Sequence, residues 1–230
     1  MLWINGPLGR ELGSFMVVLF VHGMGRTPIS GWPLLHRLRR AGCETGSFGY
    51  AAALEDFDAI VSRLVRRIAL LAAHNEGDGG RGYILVGHSL GGVLLRAALA
   101  RLPPGTKPPA HVYLLGSPIL PSRIAASLKG NWAFRGFAGD CGQLLGCATR
   151  MQAIAPITSP ATGIAGVRSL PGSRARFGDE SNDGVVSLGE VSAPWLTKQI
   201  EVPVVHTLLP SSGQVAEIIR QGLLTSRSNA

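Results

Sequence analysis

Apolar positions recur along this chain with two alternating periods. Residues 15–21 form an unbroken apolar run rich in β-branched side chains, which predicts a strand buried on both faces. Residues 31–40 follow a helical period, with Leu34, Leu35 and Leu38 inward, Arg37, Arg39 and Arg40 outward, and Gly42 to end the helix. A weaker strand is predicted over 48–53. The clearest helix starts at Phe57: Ile60, Val61, Leu64, Val65, Ile68 and Leu71 continue one stripe, acids at 55, 56 and 58 crowd its start, and His74 stands near its end. Residues 75–82 read as a Gly-rich turn. A strand over 83–86, a helix to about residue 102 stopped by Pro103-Pro104-Gly105, and a strand over 111–115 come next. Residues 119–160 lack periodicity and are expected to be irregular. Short strands at 164–167 and 200–205 and a helix at about 214–224, N-capped by Ser211 or Ser212, complete the pattern.

Strands alternating with helices of these lengths predict an α/β fold: a mostly parallel sheet with helices on both faces, ligands binding at the carboxyl ends of the strands. The length of 230 residues fits one domain, 1–230, with a lid or cap insertion at about 119–160. Apolar residues make up 46% and charged residues only 16%, which excludes a chain kept open by charge. The longest apolar run is far below the ~18 residues a membrane-spanning helix needs.

The formal net charge is +8, carried mostly by arginine. Those arginines are scattered, and their largest cluster (Arg63, Arg66, Arg67) lacks the interleaved aromatics of a nucleic-acid platform, so no nucleic-acid partner is expected. Cys43, Cys141 and Cys147 show no zinc-site spacing and are expected to be free thiols. The N-terminus has neither a positive leader nor a small-residue cleavage site, and a cytoplasmic protein is expected. Met16 offers an alternative start, which ordered packing of Trp3 and Ile4 would argue against.

The chemistry centres on Gly87-His88-Ser89-Leu90-Gly91, a G-x-S-x-G between an apolar strand and an amphipathic helix. A serine on such a turn is forced into strained backbone angles, and glycines two residues to either side relieve collisions across it. Serine needs a base, usually histidine, oriented by a carboxylate. Of the histidines after Ser89, His111 opens a strand too early and His206 follows the last strand. Asp183 is the expected acid, within the turn-forming cluster Ser181-Asn182-Asp183-Gly184; Asp179 is second and Glu180 third. Oxyanion donors are expected from Leu90, directly after the nucleophile, and from Met24, between Gly23 and Gly25 after the first strand. A dinucleotide fingerprint in that loop fails, because Pro28 stands where its third glycine belongs.

His22-Gly23-Met24-Gly25, Gly87-His88-Ser89-Leu90-Gly91-Gly92 and Asn182-Asp183-Gly184-Val185-Val186 together resemble stretches of small bacterial lipases and carboxylesterases of the α/β-hydrolase superfamily. The resemblance spans about residues 15–224. It implies Ser89 as nucleophile, Asp183 as acid, His206 as base, and Met24 and Leu90 as oxyanion donors. The sequence departs from secreted lipases in lacking an export signal and in carrying Leu208 where several place a calcium-binding aspartate, so neither metal nor cofactor is expected. The expected activity is hydrolysis of carboxylic esters through an acyl-enzyme. The same residues could serve an acyltransferase or thioesterase, and a non-catalytic binding protein could keep the fold. Trp132, Phe134 and Phe137, with Leu128, Leu144 and Leu145, are the expected lining for an acyl chain, ordinary core being the alternative. The expected partners are a small ester or lipid substrate and, transiently, a lipid interface.

Overall fold

The computed structural model describes residues 16–77, 82–128 and 130–228, with 75–77, 133–135 and 225–228 by backbone alone; Trp3 and Ile4 lie outside the described residues. Its strands are β1 (Val17–Val21), β2 (Glu44–Phe48), β3 (Tyr83–His88), β4 (His111–Leu115), β5 (Ala161–Gly166) and β6 (Lys198–Val202). All pair in parallel in one sheet ordered β2-β1-β3-β4-β5-β6. The chain steps to one side from β1 to β2 and returns to β3 on the other. The carboxyl ends of β1 and β3 therefore meet at a switch point, where α/β sheets bind their ligands.

The helices are α1 (Trp32–Arg40), α2 (Phe57–Gly77), α3 (Leu90–Leu99), α4 (Arg123–Leu128), α5 (Trp132–Leu145), α6 (Ala148–Gln152), α7 (Arg174–Phe177) and α8 (Gly213–Ser228). Alternate residues of each central strand serve opposite layers. Val18 and Phe20 of β1 pack with Leu34 and Leu38 of α1 and Val215 and Ile219 of α8. Val17, Leu19 and Val21 pack on the other side with Ile60 and Leu64 of α2 and Val93 and Leu94 of α3. Residues committed to two cores have no polar face to show, which is why β1 reads as an unbroken apolar run. Each fully buried Leu, Ile or Phe contributes roughly 1.5–3 kcal/mol.

Three expectations need correction. The second strand occupies Glu44–Phe48, and residues 52–54 after it are turn. It is an edge strand with mostly exposed or half-exposed side chains, so burial imposes no apolar pattern on Glu-Thr-Gly-Ser-Phe. Residues 119–160 are not irregular but carry α4, α5 and α6. Glycines 136, 139 and 142 lower the helix propensity of α5, yet Ala138, Cys141, Leu144 and Leu145 recur at helical spacing and are buried in the core. The strands expected at 164–167 and 200–205 begin earlier, at Ala161 and Lys198, because Ala-Thr-Gly is too small and Lys-Gln too polar to signal a strand. The three cysteines are free thiols, and no helix among the described residues is long and apolar enough to cross a membrane.

Helix α5 bends at Gly139 (φ 57°, ψ −153°), splitting an outer half from an inner half seated in the core. The next residue anchors the bend. Asp140 Oδ2 accepts the backbone N–H of Phe57 at 3.1 Å, capping α2, and the carboxylate accepts Arg150 at 2.6 and 3.0 Å. The Arg150 hydrogen bonds hold this carboxyl below the ordinary aspartate value. Asp140→Ala uncaps α2 and frees Arg150, and urea unfolding should show a loss of about 1–2 kcal/mol.

Candidate active site

Ser89 follows the last residue of β3 and caps α3 with φ 53° and ψ −123°, the one non-glycine residue with positive φ among those described. Its N–H donates to Leu115 O at 2.9 Å and its carbonyl accepts Gly92 N–H at 3.0 Å. A Cβ on Gly87 would lie 2.5 Å from Gly92 Cα, and one on Gly91 would strike the Val21 carbonyl. The motif's glycines thus answer two different crowding problems, one across the turn and one against β1. A Cβ on Gly92 would strike Ser117 Oγ, and that hydroxyl donates to Gly87 O at 3.1 Å, bracing the turn. Gly92 belongs to the quoted motif, and Ser117 braces the turn with no motif to announce it.

Asp183 and His206 are brought together. Asp183 Oδ2 accepts His206 Nδ1–H at 2.7 Å, with Asp183 fully buried and His206 nearly so. The other carboxylate oxygen accepts the N–H groups of Val185 at 3.0 Å and Val186 at 2.9 Å. Both carboxylate oxygens therefore meet donors, without which burying a carboxylate is costly. The His206 N–H also donates to Asp183 O at 3.0 Å. A donor Nδ1 leaves Nε2 as the bare, basic nitrogen of the ring. Of the rival acids, Asp179 is exposed and pairs with Arg174, while Glu180 binds Arg123 and Gly189 N–H. His111 begins β4 and meets Thr162 Oγ1 at 2.8 Å.

The segment that carries Ser89 is tied to His206 through His88, the variable position of the motif before the serine. His88 Nε2–H donates to His206 O at 3.0 Å, and the two rings stand 4.9 Å apart. Ser89 itself is half-buried, and its hydroxyl has no hydrogen-bond partner among the described residues.

The loop after β1 lies against the serine, since a Cβ on Gly23 would come 3.1 Å from Ser89 Cβ. Met24 is half-buried and touches the core, and Leu90 is the first residue of α3, where an N–H has no intrahelical carbonyl to pair with. Tyr50, also missed from sequence, braces this loop: its ring stacks on His22 at 4.2 Å, and its hydroxyl donates to His22 O at 2.7 Å. Phe137 reaches over the same loop, for a Cβ on Gly25 would lie 2.8 Å from its ring. Phe137 and Trp132 are 63% and 86% exposed, so neither is core. Leu144 and Leu145 are core rather than lining, and the Phe134 side chain lies outside the described residues. Among the described residues no cluster of three metal-ligating side chains occurs.

Residues 18–224 match the alpha/beta hydrolase family. The chain belongs to that family. The metagenomic carboxyl esterase MGS0156 superposes with a TM-score of 0.68 at 14% identity, covering 98% of this chain and 81% of the esterase. A structure from the pair LipS and LipT, two metagenome-derived lipolytic enzymes, gives 0.63 at 16% identity, covering 95% and 96%. The RedJ thioesterase of Streptomyces coelicolor gives 0.55 at 13% identity, covering 97% and 98%. No curated protein matches the sequence. At these identities the likeness is one of fold, shared across hydrolases of different substrates.

Burial pushes the imidazoles of His22, His88 and His111 below their ordinary value of 6.5. Unfolded, these rings take up protons near pH 6.5; folded, only at lower pH. The unfolded chain therefore binds more protons below that point, and stability present above it is lost as pH falls. The carboxyls held low by hydrogen bonds, Asp140 and Glu180, have ordinary values of 3.8 and 4.5 and act in a more acid range. Calorimetry should find Tm level above about pH 7.5 and falling by several degrees between pH 6.5 and 5.

Proposed function

We propose that this hydrolase cleaves carboxylic esters through an acyl-enzyme on Ser89. The buried Asp183–His206 hydrogen bond beside a serine on a strained elbow carries this reading. Ser89 Oγ attacks the acyl carbon while His206 Nε2 takes its proton. Asp183 holds the ring in the tautomer that makes Nε2 the base and stabilises the imidazolium that forms. The N–H groups of Met24 and Leu90 receive the charge on the carbonyl oxygen, each donor contributing about 3 kcal/mol. The tetrahedral intermediate collapses, the ester C–O bond breaks, and the alcohol leaves with the proton from His206. Water, deprotonated by the same nitrogen, attacks the acyl-enzyme; the intermediate expels Ser89, which recovers its proton. No metal or cofactor enters this scheme. Three free thiols suit the cytoplasmic setting that is part of the reading.

An apolar acyl group or a lipid surface suits the rim of the site. Ile29, Trp32, Trp132, Phe137, Leu170 and Leu208 are all large, apolar and between 47% and 86% exposed. Each lies in a segment that follows the carboxyl end of a strand. Residues 119–160, joined at the Gly139 bend, form the lid of the proposal, with Trp132, Phe134 and Phe137 on its outer half.

Ser89→Ala should abolish both p-nitrophenyl ester turnover and labelling by a fluorophosphonate, with a loss of roughly 10⁴–10⁶ in kcat. Asp183→Asn should cost about 10³–10⁴ in kcat, while Asp179→Asn stays within about twofold of wild type. Retained turnover in Ser89→Ala, or equal losses in the two aspartate variants, would remove these assignments. Acyl transfer to acceptors other than water would use the same residues. Product analysis with competing alcohols and acyl thioesters separates the reactions, and a chain that never labels would be a binding protein.

Phe137→Ala removes the ring over Gly25. It should raise KM for long-chain esters about tenfold, the worth of roughly 1.4 kcal/mol of apolar contact, and leave acetate esters unchanged. Equal effects on both chain lengths would argue that Phe137 serves the loop's shape instead of the acyl chain.

A further inference from the structure

His206 is gripped at three points. Its N–H donates to Asp183 O at 3.0 Å, its Nδ1–H donates to Asp183 Oδ2 at 2.7 Å, and its carbonyl accepts His88 Nε2–H at 3.0 Å. Two of these holds come from one acid. The third comes from the residue before the nucleophile, 118 positions away in sequence. We infer that His88 is a positioning residue: by tying the carbonyl of His206 to the end of β3, it fixes the distance between base and nucleophile. This inference rests on the proposed roles of Ser89 and His206.

The geometry gives His88 a direct hydrogen bond from the serine's own segment to the backbone of His206. Asp183 sits in the loop after β5; one of its bonds orients the imidazole and the other holds the His206 backbone, and neither runs to the segment that carries Ser89. His88 and Ser89 share a peptide unit, and Ser89 is itself held by Leu115 O and Gly92 N–H. A displacement of the elbow therefore moves the strut, and through it the backbone of His206, in the same direction. Nucleophile and base travel as one body.

The ring is suited to the work by its protonation. A carbonyl only accepts, so Nε2 carries the hydrogen and Nδ1 is a bare lone pair; that nitrogen is buried and has no partner among the described residues. It faces Gly23, whose Cβ, if present, would lie 3.1 Å away. Burial, then His206, Arg26 and His22 around it, keep His88 well below the ordinary histidine value, outweighing the hydrogen bond to the His206 carbonyl. When His206 takes the proton from Ser89, its neighbour stays neutral and adds no repulsion to the imidazolium. A lysine or arginine donor here would bring a second positive charge to the same place.

The test compares two neutral amides. In His88→Gln the side-chain nitrogen reaches close to where Nε2 stood and can still donate to His206 O; in His88→Asn it falls one methylene short. Both are folded-state controls for each other, checked by circular dichroism and thermal melting. Misplacing a catalytic group by about 1 Å costs up to about 100-fold. His88→Asn should therefore lower kcat and the rate of fluorophosphonate labelling roughly 10- to 100-fold, with KM within about twofold. His88→Gln should recover to within about fivefold of wild type, a rescue a mere packing role would not produce. Equal rates in the two variants, or a change confined to KM, would overturn the inference. Ser89→Ala in parallel separates the two levels: if it still labels, the roles of Ser89 and His206 fail first, whereas a dead Ser89→Ala beside an unimpaired His88→Asn removes only the strut.

Discussion

A non-glycine residue at φ 53° costs on the order of 1–3 kcal/mol, and such strain persists only where the surroundings over-determine it. Around Ser89 they do. β4 supplies the carbonyl of Leu115, and Ser117 after it holds Gly87, while α3 returns an N–H from Gly92. Gly91 comes so close to β1 that its Cβ would strike the Val21 carbonyl. The turn is thus wedged among three strands and one helix, and it can relax only if the sheet moves. The side chain that this wedge carries is presented at the switch point between β1 and β3, where the loop of Gly23 is already in contact. The sheet exists before the site in any causal order, and the site inherits its rigidity.

The second constraint is electrostatic. A carboxylate with no exposure, such as Asp183, is tolerated because two N–H groups take one oxygen and an imidazole N–H takes the other. Arg96 follows the same rule with the opposite sign at its two terminal nitrogens, its Nε being buried with no hydrogen-bond partner among the described residues. It is buried on α3, where desolvation pulls its pKa down to about 10, and it donates to Ile119 O at 3.4 Å and Ile154 O at 2.8 Å. Those two carbonyls stand near the two ends of the α4–α6 segment, so a cation held by carbonyls fastens that segment to α3. Exposed ion pairs such as Arg220–Glu217 contribute little by comparison, since water screens them. The overall charge of +8 therefore says nothing about the site, whose electrostatics are set by a handful of buried groups.

How much of this could be read from the chain follows from where each residue is buried. The central strands were legible because two cores demand apolar residues at successive positions, as in Val-Val-Leu-Phe-Val of β1. The edge strand β2 was not, because an edge makes no such demand, and neither was Ala-Thr-Gly at the start of β5. Gly87 and Gly91 were legible because the turn they relieve is local. The pairing of Asp183 with His206 was legible in part: a turn cluster marked Asp183, and its place after the last strand marked His206. His88, Ser117 and Tyr50 left no signal of their own. Each acts through a contact with a distant segment, and a side chain bonded to a backbone carbonyl asks for no particular partner residue there.

The same distinction separates the two parts of the proposed site. Ser89, His206 and the Gly23 loop stand at strand ends and are tied to the sheet by backbone hydrogen bonds. Trp132 and Phe137 stand on the outer half of α5, beyond a glycine bend, with the inner half anchored by Asp140 and the buried Cys141, Leu144 and Leu145. A change at the exposed Trp132 leaves the bend, the Asp140 cap and the Arg96 clamp untouched, so it alters the surface there without reaching the elbow. A change at Gly92 or Ser117 does the reverse. On the proposed function, the bend at Gly139 thereby separates a part whose geometry the reaction would dictate from a part free to follow the substrate.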